Sequence, residues 1–212
     1  AAQIINPFDI YQSTGASREL INALISEQNL TVDFANFEEH VKAHQELSRQ
    51  GAGKKFSGGL GDHSEEVKRL HTATHLLHKA LREVLGEHVQ QMGSNITSER
   101  LRFDFSNDEK MSEDQIKRVE EIVNQKISER LPVQNITLPK AEAEQSRAFH
   151  FFKEKYPDMV KIYFVGDDLD SAWSKEFCGG PHVENTSELG HFKIQKEEAV
   201  GKGVRRIKAV LE

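Results

Sequence analysis

A helical repeat constrains the centre of this chain more than any other feature. Between Ser64 and Leu85, the residues Val67, Leu70, Thr74, Leu77, Leu81 and Val84 recur at steps of three and four, and Gly86 follows as a helix stop. The pattern predicts one long helix with an apolar stripe. A second helix is predicted from Ser112, with Ile116, Val119, Ile122, Val123 and Ile127 turned inward and an end before Pro132. Strand patterns fill the rest. Leu101–Ser106 (LRFDFS) alternates like a half-buried strand, and Val160–Asp167 (VKIYFVGD) reads as a strand leading into a turn. HFKIQKEEAV and GVRRIKAVLE read as a closing pair of strands around Gly201 and Gly203. Helices and strands do not alternate regularly and no internal repeat is visible. The expected class is therefore α+β, a mainly antiparallel sheet packed with helices.

A small helical segment is expected ahead of this domain. Ser17 can cap a helix carrying Leu20, Ile21, Leu24 and Ile25, and Asp33 can cap a second with Phe34, Phe37, Val41 and Leu47 on one side. The glycine-rich run after them lacks apolar periodicity and reads as a linker. The expected organisation is a helical segment over 1–50, a linker over 51–62 and a larger domain over 63–212.

Composition narrows the function classes. Hydrophobic residues make up 37% of the 212 and charged residues 29%, the balance of a soluble globular protein. No apolar run approaches the roughly 20 residues of a membrane helix. The first residues show no basic stretch before an apolar core, so neither a membrane partner nor secretion is expected. A single cysteine, Cys178, excludes an internal disulfide framework and suits a reducing compartment, the cytoplasm. The net charge of −6 gives no overall attraction to nucleic acid, so an RNA contact needs a local basic patch. Lys202, Arg205, Arg206 and Lys208 form a basic run near the C-terminus, after Lys193 and Lys196 and beside Glu197 and Glu198. That run reads either as a phosphate-tracking cluster or as a solvated strand face.

Two short motifs carry chemistry. His71 and His75 lie four apart on the predicted helix, so both rings leave one face about a turn apart and can share a metal ion. Downstream, Cys178 and His182 flank Gly179, Gly180 and Pro181, a short loop that lets both side chains turn toward one point. Imidazole and thiolate donors together suit zinc. Each motif alone is weak on a chain with ten histidines, but the only cysteine standing four residues before a histidine strengthens the pair. Other readings stay open. The histidines can be surface or partly buried helix residues with Cys178 as a small core side chain. Cys178 can also be a nucleophile with one histidine beside it, which leaves two histidines unexplained. His78, three residues after His75, reads as a histidine without a metal role.

The run from His71 to Ser106 (HTATHLLHKALREVLGEHVQQMGSNITSERLRFDFS) resembles the editing domain of the alanyl-tRNA synthetases. Cys178–Ile194 (CGGPHVENTSELGHFKI) and Gly203–Val210 are similar to the second metal-binding half and closing segment of the same family. Pro7–Gln50 looks like the helical, tRNA-recognising end of its aminoacylation module, so the resemblance spans nearly the whole chain. It implies a zinc ion held by His71, His75, Cys178 and His182 in a cleft that hydrolyses seryl- or glycyl-tRNA. Gln91 of QQMGS falls at the family's active-site glutamine. The implied partners are the acceptor end of tRNA(Ala) and the remaining domains of a parent synthetase, with no DNA. The ligase active site is implied to lie outside this chain.

The sequence departs from the pattern in three places. Only GGLGD precedes the HxxxH helix, where the family carries a β-barrel with a Gly-Gly-Gln motif. Pro181 stands where the alanyl type commonly has threonine; a proline is more like the related threonyl-type domain, which works without bound zinc. Met92 replaces a lysine. A site that accepts serine and spares alanine is expected to hold a buried polar partner for the hydroxyl. The competing functions are a non-catalytic tRNA-binding module with a structural zinc, a metal-free threonyl-type editing domain, and a hydrolase of an unrelated small ester.

Overall fold

The computed structural model describes residues 64–150 and 156–212, together with positions 7, 18, 34, 36–38, 42, 60 and 61. The chain divides into two compact units, Ala1–Lys54 and Lys55–Glu212. In the first, Pro7, Arg18, Phe37, Glu38 and Lys42 are helical, and the Arg18 guanidinium lies 4.9 Å from the Phe34 ring. The predicted caps at Ser17 and Asp33 lie outside the described residues, as does the linker apart from Leu60 and Gly61. Those two differ from a free linker. Leu60 is buried and bridges Ile96, and the Gly61 N–H donates to the Ile96 carbonyl at 2.7 Å. An apolar side chain in a glycine-rich run has found a strand to cover it.

The second unit opens with helix α1 (Glu65–Leu85), followed by strands β1 (Gln91–Ile96) and β2 (Leu101–Ser106) and helix α2 (Glu113–Ser128). Strand β3 (Val133–Pro139), short helix α3 (Lys140–Gln145), and strands β4 (Met159–Val165) and β5 (Ser174–Phe177) come next. A 3-10 turn at Thr186–Leu189 leads into β6 (Phe192–Gly201) and β7 (Val204–Leu211). All strand pairings between these elements are antiparallel. They form a four-stranded sheet in the order β1-β2-β7-β6 and a three-stranded sheet in the order β3-β4-β5. This is an α+β fold, as the sequence pattern predicts.

Local chemistry sets the helix ends. Ser64 caps α1 by accepting the Val67 N–H at 3.4 Å, and Gly86 ends it at φ 117°, a conformation that favours glycine. Ser112 caps α2 in a reciprocal capping box with Gln115. The predicted inward residues Val67, Leu70, Thr74, Leu77 and Leu81 are buried, but so are His71, Thr72, Ala73, His75, Leu76, His78 and Ala80. The helix is therefore not a one-sided amphipathic element. It packs against β1 and β2 of the larger sheet, against α2, and against β5 of the smaller sheet. The main core gathers Leu76, Leu77 and Leu81 with Phe103, Phe105, Phe192 and Ile207. A smaller core joins Ala143, Ala148, Val160, Ile162 and Phe177.

Strands β1, β3 and β5 do not stand out in the sequence. Only the first residue of β3 is buried, so no alternation marks it, and β5 has four residues. Among the described residues no helix is long and apolar enough to cross a membrane.

Leu77 has no exposed surface at the centre of the main core. A Leu77→Ala change is expected to cost about 2–5 kcal/mol, through lost burial and the cavity left behind. Urea unfolding of the two proteins measures it. A loss below about 1 kcal/mol would contradict the burial of α1.

Candidate metal centre

Helix α1 and the loop after β5 bring four donors together. The ring centroids of His71 and His75 are 5.2 Å apart; that of His182 lies 4.2 Å from the first and 4.3 Å from the second. Cys178 Sγ lies 3.4 Å from His71 Nε2 and 3.3 Å from His182 Nε2. One ligand atom from each of the four residues falls within 4.8 Å of every other. The three histidines are buried and Cys178 is half-buried. Thus the structure assembles all four predicted ligands from segments 107 residues apart.

The loop is shaped for this. The Cys178 N–H donates to the Lys161 carbonyl at 3.0 Å, tying the loop to β4, and the Gly180 N–H donates to Cys178 Sγ at 3.4 Å. Gly180 sits at φ 69°, and a Cβ there would meet the Tyr163 hydroxyl at 2.5 Å, so only glycine fits.

Hydrogen bonds from outside the cluster fix two ring tautomers. His71 Nδ1 lies 2.9 Å from the Pro181 carbonyl, which can only accept, so Nδ1 carries the proton and Nε2 keeps its lone pair. The Thr72 hydroxyl donates to the Lys68 carbonyl at 3.2 Å. Its oxygen then accepts from His182 Nδ1 at 3.0 Å and from the Val183 N–H at 3.2 Å. His182 therefore also presents Nε2 to the cluster. Thr72 was not singled out in the sequence; its signal is its place beside His71 on the helix.

Burial, reinforced by the nearby His75, pushes His71 down to about 3. Burial also lowers His75 against the pull of Glu176, and takes His182 well below its ordinary value, with His75 and His71 adding to the effect. Neutral imidazoles are the form that binds metal.

Glu176, two residues before Cys178 on β5, was also missed. Its one signal in the sequence is its place two residues before Cys178. Glu176 is buried, and its Oε1 lies 3.0 Å from His78 Nδ1. Its Oε2 lies 3.6 Å from His75 Nε2, too far for a hydrogen bond. Burial alone would raise this carboxyl, but His75 and His78 outweigh it and hold the group below its ordinary value. His78 is thus neither a surface residue nor an unused one.

A cavity of about 960 Å³ opens beside the cluster, lined among others by His71, Thr74, His75, Gln91, Glu176 and Cys178. Gln91 is the first residue of β1 and is half-buried. The basic run behaves differently. Arg205 shares a strand face with the buried Ile207 and Ala209, whereas Arg206 and Lys208 point to the opposite face. Arg205 is paired with Glu197, Arg206 with Asp104 at 2.7 Å, and Lys208 with Glu198 at 2.9 Å. Lys202 lies exposed in the turn before β7. The four cations do not form one patch, because the two-residue period of a strand separates neighbours in sequence.

Residues 160–208 match the threonyl and alanyl tRNA synthetase second additional domain. Over 97% of its length the chain is 55% identical to an alanine–tRNA ligase of Treponema denticola, and over 96% it is 52% identical to one of Borreliella burgdorferi. Over 68% it is 50% identical to the alanine–tRNA ligase of Bacillus velezensis. The chain is thus homologous to a stretch of the alanine–tRNA ligases that includes the second additional domain. It spans 33% and 34% of the first two ligases and 16% of the third. The matched additional domain contains Cys178 and His182; the other two candidate ligands, His71 and His75, come from α1 outside it.

The depressed histidines make a pH prediction. Each keeps a folded value below the unfolded value of about 6.5, so protons enter the unfolded chain first as pH falls. In a chelator, thermal stability should fall from pH 7.5 to 5.5, and a His71→Gln variant should show a shallower fall. Equal slopes in the two proteins, followed by calorimetry, would contradict a neutral buried His71.

Proposed function

We propose that this chain is a deacylase module that hydrolyses the ester joining serine or glycine to the terminal ribose of mischarged tRNA(Ala), at a zinc site formed by His71, His75, Cys178 and His182. The observation that carries this reading is the convergence of those four donors beside a cavity that His71, His75 and Cys178 line, in a chain homologous to alanine–tRNA ligases. A tetrahedral zinc, about 2.3 Å from sulfur and 2.0–2.1 Å from nitrogen, sets sulfur and nitrogen donors roughly 3.5 Å apart. The separations of 3.4 and 3.3 Å around Cys178 fit that demand. Bound there, zinc supplies a Lewis acid for an ester carbonyl.

The chain's own residues supply the rest. Glu176 lines the cavity beside His75, and among the described residues its Oε2 accepts no hydrogen bond, so it suits the cationic amino group of an aminoacyl ester. The Thr74 hydroxyl donates to the Leu70 carbonyl at 2.8 Å and keeps lone pairs for a substrate hydroxyl. Gln91 offers an amide that can orient the substrate or a water. Lys202, with no carboxylate partner among the described residues, offers a phosphate contact; Arg205, Arg206 and Lys208 reach RNA only in competition with their own carboxylates. The remaining domains of a parent ligase and the cytoplasm complete the reading.

A four-donor set also suits a structural ion, since a catalytic zinc keeps one position open. One assay separates the two. The zinc-loaded chain, at high concentration and low salt, is expected to hydrolyse Ser-tRNA(Ala) and leave Ala-tRNA(Ala) largely intact. His75→Ala should lose metal and lower the rate by orders of magnitude, whereas Gln91→Ala should keep zinc and lose rate or serine selectivity. No hydrolysis above buffer, even with the parent's other domains added, would leave a tRNA-binding module with a structural zinc.

A further inference from the structure

Helix α1 carries a third buried histidine on the face of His71 and His75. His78 follows His75 by three residues, is 6% exposed, and lines the same cavity. Its Nδ1 lies 3.0 Å from Glu176 Oε1. Its Nε2 is buried and has no hydrogen-bond partner among the described residues. The ring is flanked by Phe103 and Phe149, whose centroids lie 5.4 and 4.9 Å away. A carboxylate only accepts, so Nδ1 carries the proton and donates. That bond engages Oε1 and leaves Oε2 beside His75, 3.6 Å from its Nε2. The aromatic flanks restrict the imidazole, and in this dry setting a bond to a charged oxygen is strong.

We propose that His78 is a positioning residue: it clamps one oxygen of Glu176 so that the other stays turned to the cavity, where it meets the α-ammonium group of the ester. This rests on the deacylase reading for the identity of the ligand, but it concerns binding of an amine and stands apart from hydrolysis. Without the clamp, Glu176 is free to turn toward whichever cation or donor is nearest, His75 included. The orphaned Nε2 is consistent with a side chain retained for the bond made by its other nitrogen, since leaving a buried nitrogen unpartnered carries a cost.

Two substitutions separate the ring nitrogens. In His78→Asn the amide nitrogen falls near the Nδ1 position and keeps a donor for Glu176. In His78→Gln it falls near the Nε2 position and does not. The probe is a hydrolysis-resistant amide, 3′-serylamino-3′-deoxyadenosine, compared with its N-acetylated form, which lacks the cationic amine. The full chain should bind the free amine about tenfold more tightly than the acetylated one, the effect of one charged hydrogen bond. His78→Asn should keep most of that preference, and His78→Gln should bring it close to one. Zinc content and circular dichroism should stay as in the parent. Equal loss of preference in both variants, loss of affinity for both probes alike, or loss of zinc would overturn the positioning role. Hydrolysis of Ser-tRNA(Ala) is measured in parallel. An inactive chain that still prefers the free amine contradicts the deacylase reading and leaves the role of His78 standing.

Discussion

Helix α1 has almost no solvent face along its middle turns. From Leu70 to His78 every side chain is buried, the polar ones included. A polar group shut away from water must find a partner inside the protein or cost several kilocalories per mole. That requirement organises the centre of the structure. Thr74 bonds back to its own helix, Thr72 bridges the helix to His182 and Val183, His71 bonds to the Pro181 carbonyl, and His78 bonds to Glu176. Four of these contacts reach the stretch from Glu176 to Val183, so the helix and that segment hold each other in register. The candidate metal centre lies where they meet.

Charge is handled in two ways. At the centre, burial keeps the His71, His75 and His182 rings neutral, which suits them to bind an ion without first shedding protons. On the larger sheet, Arg205 and Arg206 form close pairs with Glu197 and Asp104, and these fasten neighbouring strands. A chain of net charge −6 thus spends most of its strand cations on its own carboxylates. The same sheet that supplies Phe103 and Phe105 to the core therefore offers RNA little free positive charge.

The two halves of the candidate site have different origins in the fold. His71 and His75 are on the first helix of the second unit, while Cys178 and His182 follow the last strand of the smaller sheet. The matched additional domain covers only the later half. A segment that carries all four donors must run from His71 to His182, and it takes in the smaller sheet, with Glu176 and the anchor of Cys178 on Lys161, as well as the helix.

Much of this was legible in the sequence. The helix starts at Ser64 and Ser112 and the stop at Gly86 follow from local hydrogen bonding and backbone freedom, and the four candidate donors follow from residue type and spacing. LRFDFS is a strand because alternate positions are apolar. What could not be read concerns how much of each element is covered. A periodic stripe marks the first buried face of a helix but not a second, so His78 passed for an idle residue and Thr72 did not stand out. Glu176 reads as an ordinary charged strand residue until a buried histidine 98 positions earlier lies against it. The basic run is adjacent in sequence, yet strand geometry and three carboxylates from other strands divide it. The sequence by itself determined the two long helices, the clearly patterned strands and the candidate donor set, because propensity, capping and ligand chemistry act over a few residues. Only the tertiary structure decided which polar groups are buried and with whom they pair, because desolvation and hydrogen bonding depend on neighbours that the chain order does not name.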